Sequence, residues 1–179
     1  GIHERVLTLA FEKQSESNAM WALSPAIPFQ PQLVAGAGGY FAPLIRAYIR
    51  RHDAHPDTGC VVAVKDREHG LLNPYAHLHL KQTLEEVKAA PVLWDPIRYS
   101  ETCPSSDGAV AMVLASEKAA QGIKNPAWVR GTSVRTESTF RAHRDQINPQ
   151  AGKDCAKHVY AQAGITNPRR QVDCVEMYV

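Results

Sequence analysis

The sequence predicts an α/β fold. Two apolar runs are typical of buried strands: Arg5 to Phe11 is rich in β-branched and aliphatic residues, and Ala109 to Ala115 contains no polar side chain. Between these runs, apolar residues recur at helical spacing from about Tyr40 to Arg51. A strand without a polar face has no solvated side, so the second run predicts a central strand that further layers bury on both faces.

Length and composition favour a globular protein and exclude several classes. The chain has 179 residues, of which 44% are hydrophobic and 21% are charged, so it can form a sizeable core and is not expected to be disordered. A net charge of +2 is too small to predict a nucleic-acid or membrane-surface partner. No transmembrane run or signal peptide is recognised, so the expected location is cytoplasmic.

Four cysteines are widely spread and form no C-x-x-C pair: Cys60, Cys103, Cys155 and Cys174. This spacing argues against a zinc ribbon and fits reduced thiols. A nucleophilic cysteine needs a histidine or a positive helix end that lowers its pKa. Cys103 directly precedes the central strand and the other three fall on apparent core faces, which favours packing roles over catalysis.

The glycines at 36, 38 and 39 are expected to precede the first helix. They either form a flexible turn that sets the helix, or allow backbone amides to approach a phosphate or a thioester oxygen. Their spacing is not a dinucleotide-binding fingerprint. The helix itself presents one apolar stripe, formed by Phe41, Leu44, Ile45, Tyr48 and Ile49.

Two shorter helices are predicted further along. Asp57 is expected to cap a helix that runs to about Glu68 and turns Cys60, Val61 and Val64 inward. Thr83 and Glu86 form a capping-box pattern for a helix that stops before Pro91. Short helices joined by proline-rich loops indicate an inserted subdomain rather than part of a sheet.

The last third of the chain predicts a second strand–helix–strand unit, right-handed and parallel by default. Its expected parts are a short helix from Ser116 to Gly122, a strand from Trp128 to Arg135, a surface loop with a basic patch (Arg141, His143 and Arg144), a helix from Gly152 to Gly164 and a strand from Val172 to Val179.

Five short motifs follow one another along the chain: Phe11–Ser15, Ala35–Phe41, Asn73–His77, Cys103–Ala109 and Asp173–Val179. Each motif is weak alone, and their order makes the combination specific. By these motifs the chain resembles the thiolase superfamily, in the branch that includes sterol-carrier-protein thiolases and, most closely, lipid-transfer-protein aldolases of bacterial steroid side-chain degradation.

The resemblance implies a partial thiolase-like fold. Residues 1–122 would be the end of the N-terminal half, with a loop subdomain at about 14–94 and a closing strand at 108–115, and residues 123–179 would start the C-terminal half. In the family the acyl-accepting cysteine lies upstream of the matched region and the other catalytic groups lie downstream. The expectation is therefore an internal segment of a longer enzyme, inactive alone and without catalytic residues of its own.

The resemblance also implies which residues contact the substrate or its coenzyme A: Gly38, Gly39, Asn73, Tyr75, His77, Asp107 and Gly108. Structural roles remain open for each of them. His77 and His79 could share one face of an extended segment, but no third ligand accompanies them, so no metal site is expected. Asp107 is equally suited to accept hydrogen bonds from loop amides, and Gly108 to a tight turn.

The implied reaction makes or breaks the carbon–carbon bond beside a coenzyme A thioester, most specifically retro-aldol cleavage that releases propionyl-CoA from a steroid side chain. Coenzyme A would be part of the substrate, with no tightly bound cofactor. A homodimer and a small OB-fold partner protein are expected. The alternatives are a sterol-carrier-type thiolase, a non-catalytic protein that binds acyl-CoA or lipid, and an unrelated α/β domain.

Overall fold

The computed structural model describes residues 2–18, 36–138 and 143–178. The chain divides into two compact units, one formed by Arg5–Leu114 and the other by Ala115–Val179 together with Gly1–Glu4. The predicted domain boundary at residue 122 remains a prediction. Arg141 of the predicted basic patch, and the part of the predicted loop subdomain from 19 to 35, lie outside the described residues.

Both strands predicted from apolar runs are present and pair with each other. Strand β1 spans Arg5–Lys13, strand β4 spans Asp107–Ala115, and the two form a two-stranded sheet. The Thr8 hydroxyl donates to the Met112 carbonyl at 3.1 Å, and Ser15, just beyond β1, bonds to Asp107 at the start of β4. The strands therefore run in opposite directions.

The predicted burial of these strands is wrong for this structure. Every residue of both strands is exposed, including Leu9 at 63%, Val110 at 65% and Val113 at 65%. Since Val110 and Val113 lie on opposite faces of β4, neither face of the strand is covered by the described part of the chain. The apolar run correctly predicts a strand, but its burial depends on layers that these residues do not supply.

Helix α1 spans Gly36–His52, four residues earlier than predicted. The glycines expected to form a turn before the helix instead form its first turn, and Gly36, buried, has a φ of 67°. On the predicted apolar stripe, Phe41 remains 47% exposed and Tyr48 46% exposed. The buried residues of the helix, Gly36 and Ala42, lie outside that stripe.

Two further helices follow α1. Helix α2 spans Thr58–Gly70 and helix α3 spans Leu84–Ala89. The capping box predicted for α3 is confirmed: the Thr83 hydroxyl accepts from the Glu86 N–H at 3.2 Å, and the Glu86 carboxylate accepts from the Thr83 N–H at 2.7 Å. Val61 was expected to face inward on α2, but it is 53% exposed, while Cys60 is fully buried.

A short hairpin completes this unit. Strands β2 (Val92–Trp94) and β3 (Ile97–Arg98) pair antiparallel and lead into a 3₁₀ turn at Tyr99–Glu101. Helix α2 contacts both α3 and the 3₁₀ turn, and α1 contacts β2. The buried residues of the unit come from these elements: Gly36, Ala42, Cys60, Val87, Ile97 and Ser100.

The second unit is built around helix α4, which spans Gln150–Ala163 and confirms the predicted helix. Gly164 ends it in the left-handed conformation, with a φ of 71°, as glycine does at many helix ends. The Gln162 side chain on α4 accepts from the Thr132 N–H at 2.8 Å. A single-turn helix, α5, follows at Pro168–Gln171.

Three predicted elements of this unit are not formed. Residues 117–122 make hydrogen-bonded turns instead of a helix, although the Ser116 hydroxyl accepts from the Ala119 N–H as a cap would. The segments 128–135 and 172–178 are irregular, so residues 116–138 and 143–178 contain no strand and no parallel unit. A strand exists only where its backbone pairs with a neighbour, and these segments have none among the described residues.

No helix in the described ranges combines the length and the apolar character needed to cross a membrane.

Val87 offers a test of where the core lies, because its side chain is fully buried on α3. We expect Val87→Ala to lower the free energy of unfolding by about 2 kcal/mol through lost burial and the cavity left behind. Val61→Ala removes the same atoms from an exposed helical position, and is expected to cost less than about 0.5 kcal/mol. Urea denaturation measures both values, and equal losses would contradict this account of the core.

Candidate functional site

The start of β4 is fastened to the chain just beyond β1. Asp107 Oδ1 accepts a hydrogen bond from the Ser15 N–H at 2.9 Å, and Oδ2 accepts one from the Ser15 hydroxyl at 2.6 Å. We call this pair of bonds the Ser15–Asp107 clamp. The Ser15 hydroxyl, then its N–H, hold the pKa of the Asp107 carboxyl below its ordinary value, and the charge of nearby His77 acts in the same direction.

The loop that follows α2 is organised by its own hydrogen bonds. The Asn73 side-chain oxygen accepts from the Tyr75 N–H at 3.0 Å, and the Asn73 carbonyl accepts from the Ala76 N–H at 3.1 Å. The same carbonyl bonds to His79 Nε2 at 2.9 Å. Tyr75 at the tip of this turn is 92% exposed. Asn73 thus organises the turn whose tip carries the exposed Tyr75 ring.

His77 joins this loop to the approach of β4. Its Nδ1 lies 2.6 Å from the Ser106 hydroxyl, and Ser106 directly precedes Asp107. The next residue, Gly108, has no atom within 4 Å of the position a Cβ would occupy. The structure therefore brings His77, Ser106, Asp107 and Ser15 to one end of β4, with open space beside Gly108. We call these four residues the strand-start cluster.

Gly38 and Gly39, also predicted to contact the ligand, lie in the first turn of α1. A Cβ on Gly38 would overlap the Trp94 ring of β2, so close packing between helix and hairpin already explains a glycine at this position. No hydrogen bond joins either glycine to the strand-start cluster in the part of the chain that the structure describes. A ligand role for Gly38 and Gly39 remains a prediction.

Sequence reasoning did not single out Ser15 or Ser106. Both stand inside motifs that resemble the thiolase superfamily, at the end of Phe11–Ser15 and in the middle of Cys103–Ala109. Membership of those motifs was the only signal for them, because a serine in a polar loop shows nothing of a partner 92 residues away.

Asp57 occupies the predicted N-cap position of α2, but its side chain makes no capping hydrogen bond. The carboxylate instead lies 2.9 Å from Lys88 Nζ on α3 and 3.9 Å from Arg98 Nη2 on β3. Hydrogen bonding to Lys88 lowers the pKa of Asp57, and Asp57 raises the pKa of Lys88. The carboxylate thus pairs with two cations that are distant in the sequence, Lys88 and Arg98, instead of with the amides at the start of the helix.

Arg98 links that pair to the buried thiol. Its N–H donates to Glu101 Oε2 at 2.7 Å, and Nη1 lies 3.5 Å from Cys60 Sγ. Burial, followed by the charge of Glu101, raises the pKa of Cys60, and Arg98 opposes them. A thiol with a raised pKa is a poor nucleophile, which agrees with the packing role predicted for Cys60.

The other cysteines are free thiols in differing surroundings. Cys103 is exposed and Cys155 is half-buried. Cys174 was expected on a core face, but it is exposed, because the segment around it does not form the predicted strand. No group of three or more histidine, cysteine, aspartate or glutamate side chains within residues 2–18, 36–138 and 143–178 is placed to hold a metal ion.

The strand-start cluster offers a polar ligand an imidazole, a carboxylate and two hydroxyls around an open glycine, with a phenol on the neighbouring turn. It contains no thiol, and it pairs one hydroxyl with an imidazole through the 2.6 Å contact between Ser106 and His77. Its chemistry is that of hydrogen bonding and of orienting a bound molecule.

Comparison with known proteins gives a consistent set of relatives. No protein-family profile matches the chain. It is 30% identical over 129 residues to benzoylsuccinyl-CoA thiolase subunit BbsB of Thauera aromatica, and this alignment covers 71% of this chain and 34% of that protein. It is 25% identical over 205 aligned positions to human sterol carrier protein 2, covering 99% of this chain and 36% of that protein.

A third relative is the 17-hydroxy-3-oxo-4-pregnene-20-carboxyl-CoA lyase of Mycobacterium tuberculosis, 28% identical over 133 residues, 70% of this chain and 34% of that protein. Among solved structures, the Ltp2-ChsH2(DUF35) aldolase matches with a TM-score of 0.67 at 22% identity, over 90% of this chain and 44% of that one. The predicted α/β, partial thiolase-like fold is confirmed by this match. The chain spans about a third of the length of these three relatives.

The Ser15–Asp107 clamp predicts a specific pH dependence of stability. Because the folded state lowers the pKa of Asp107, the clamp stabilises the protein fully above the ordinary carboxyl pKa of 3.8, and this contribution is lost as the pH falls through the lower, folded value. We expect Asp107→Asn to unfold more easily at pH 7 and to lose less of its stability than the parent below pH 4.

Ser15→Ala removes the hydroxyl donor, which is the largest cause of the lowered pKa, and keeps the backbone N–H bond to Asp107. Urea denaturation from pH 2 to pH 7 should therefore show an acid limb flatter than that of the parent and steeper than that of Asp107→Asn. The double variant should lose less stability than the sum of the two single variants, because both substitutions remove the bond between the Ser15 hydroxyl and the Asp107 carboxylate. Additive losses, or an unchanged acid limb in both variants, would contradict the clamp.

Proposed function

Given that this chain is thiolase-like in sequence and in fold, we propose that it forms the substrate-binding part of an enzyme that acts on a coenzyme A thioester and breaks the carbon–carbon bond beside it. The most specific form of the proposal is retro-aldol cleavage of a steroid side-chain acyl-CoA. The observation that carries it is the alignment of 70% of the chain with a steroid carboxyl-CoA lyase.

The proposed reaction defines what the protein must supply. A base takes the proton from a hydroxyl on the carbon next but one to the thioester carbonyl, and that carbon becomes a ketone as its bond to the neighbouring carbon breaks. The released electron pair forms the enolate of propionyl-CoA, which then takes up a proton. Donors aimed at the thioester oxygen stabilise the enolate.

Within this proposal the strand-start cluster holds the ligand rather than performing the bond cleavage. Its imidazole, carboxylate and hydroxyls suit the amides and hydroxyls along the pantetheine arm of coenzyme A, and the exposed ring of Tyr75 suits an apolar group. Gly108 leaves room for the ligand to approach the backbone of β4. These roles for Asn73, Tyr75, His77, Asp107 and Gly108 are part of the proposal.

We extend the proposal to the assembly. The matched aldolase structure is named for two components, Ltp2 and ChsH2(DUF35), and the benzoylsuccinyl-CoA thiolase relative is a subunit. A homodimeric thiolase-like core with a small OB-fold partner is the arrangement we propose here. The second candidate function is a sterol-carrier-type thiolase, which is favoured by alignment of 99% of the chain with sterol carrier protein 2.

Ligand binding tests the first part of the proposal. Isothermal titration calorimetry of the chain with propionyl-CoA is expected to show binding, and free propionate none. Gly108→Val fills the open space beside the strand-start cluster and should weaken binding about tenfold, equivalent to about 1.4 kcal/mol, with an unchanged melting temperature. Gly152→Ala, on α4 in the other unit, is the matched control and should bind like the parent.

A product assay separates the two candidate reactions. The protein expressed from its complete reading frame is incubated with a β-hydroxylated steroid acyl-CoA, and separately with a 3-ketoacyl-CoA plus free coenzyme A. Retro-aldol cleavage should release propionyl-CoA and a ketosteroid without consuming free coenzyme A. Consumption of free coenzyme A with shortening of the ketoacyl chain would favour the thiolase, and binding without either product would leave a non-catalytic acyl-CoA-binding protein.

A further inference from the structure

Ser100, in the 3₁₀ turn at Tyr99–Glu101, is a polar residue in the interior, with 6% of its surface exposed. Side chains from two other parts of the chain bond to it. Arg67 Nη2 on α2 donates to the Ser100 carbonyl at 2.7 Å, and Gln82 Nε2, just before α3, donates to the Ser100 hydroxyl at 3.3 Å. Three segments that are far apart in the sequence therefore meet at Ser100.

Each of these two side chains has a further polar atom that no protein group satisfies. Arg67 Nε carries a proton, and Gln82 Oε1 carries lone pairs. Both atoms are buried, and neither has a hydrogen-bond partner in the part of the chain that the structure describes. Buried polar groups in folded proteins nearly always have partners, because leaving one unpaired costs stability. These two atoms therefore call for a partner that lies inside the protein.

The chemistry of the two atoms selects that partner. An anion would be repelled by the amide oxygen of Gln82, and a cation by the guanidinium group of Arg67. A water molecule both accepts and donates, and a buried water commonly makes about three hydrogen bonds to such groups. It can also satisfy the Gln82 amide if the oxygen and nitrogen exchange places, because it accepts from an amide N–H as readily as it donates to the oxygen.

The places of the two side chains in the sequence give this site a role. Arg67 lies in the last turn of α2, and Gln82 lies directly before the capping residue of α3. They stand at the two ends of the loop 71–82, which carries Tyr75 and His77 of the candidate site. A molecule that bonds to both side chains therefore closes the base of this loop.

We infer that one enclosed water molecule accepts a hydrogen bond from Arg67 Nε, donates one to Gln82 Oε1, and so joins the two ends of the loop 71–82 beside Ser100. The inference concerns the chain without a ligand and does not rest on the proposed function. It makes Gln82 a positioning residue for the loop.

A high-resolution crystal structure of the chain tests the site directly. We expect one ordered water molecule within hydrogen-bonding distance of both Arg67 Nε and Gln82 Oε1. A direct bond between the two side chains, separate partners for each atom, or side chains turned out to solvent would overturn the inference.

Amide hydrogen exchange tests the role of the site in solution. Gln82→Met keeps the length of the side chain and removes its polar atoms, so the N–H groups of Tyr75 and Ala76, which bond to Asn73, should exchange faster. The melting temperature should fall by about 2 to 6 °C. Gln121→Met, at an exposed position, is the matched control and should change neither quantity.

A second variant separates the water from the direct bond between Gln82 and Ser100. Ser100→Ala removes that bond but keeps both Arg67 Nε and Gln82 Oε1. It should therefore accelerate exchange at Tyr75 and Ala76 less than Gln82→Met does. Equal acceleration in the two variants, or unchanged exchange in Gln82→Met, would show that the water does not hold the loop and would overturn its proposed role.

Discussion

Asp107 is the residue on which the arrangement of the candidate site depends. Its carboxylate accepts two hydrogen bonds from Ser15, which lies 92 residues earlier, and so fixes where β1 ends relative to where β4 begins. Ser106, its neighbour in the chain, holds His77 and with it the loop after α2. Removal of the carboxyl group would leave the hydroxyl and the N–H of Ser15 without their acceptors at the point where three distant segments meet.

A second set of charged side chains connects the helices and the hairpin of the same unit. Asp57, at the start of α2, reaches Lys88 on α3, and Arg98 on β3 bonds to Glu101 while approaching the buried thiol of Cys60. These contacts lie around the most buried side chains and tie both helices to the hairpin. The unit thus has an apolar centre bordered by ion pairs. The loop that carries Tyr75 follows directly after α2 in the chain.

The features predicted correctly from the sequence depend on neighbours in the chain. The capping box of Thr83 and Glu86, the glycine stop at Gly164 and the apolar run of β4 each follow from a few adjacent residues. The wrong predictions concern features that depend on a partner distant in the sequence. Asp57 satisfies the local rule for a helix cap, yet its carboxylate pairs with Lys88 and Arg98, 31 and 41 positions further along the chain. The segment 128–135 alternates like a strand but has no paired neighbour among the described residues.

The same distinction applies to the candidate site. Motif resemblance selected Asn73, Tyr75, His77, Asp107 and Gly108, and the structure places them on one loop and one strand end. It did not select the two serines that hold these residues in place, because their partners become evident only in three dimensions. Gly38 was selected for a ligand, and the overlap of a Cβ at this position with the Trp94 ring gives packing as a second reason for the glycine.

The antiparallel pairing of β1 with β4 has a consequence for how the sequence of such a protein can evolve. The two strands are neighbours in a hairpin-like pair, and everything from a 3₁₀ turn at Gln14–Glu16 to the approach of β4 is inserted between them. Closing a loop costs only about 0.6 kcal/mol more for each doubling of its length. The inserted segment can therefore lengthen, shorten or exchange its helices during evolution at little cost to the sheet, so that one pair of strands can present many different ligand-binding surfaces.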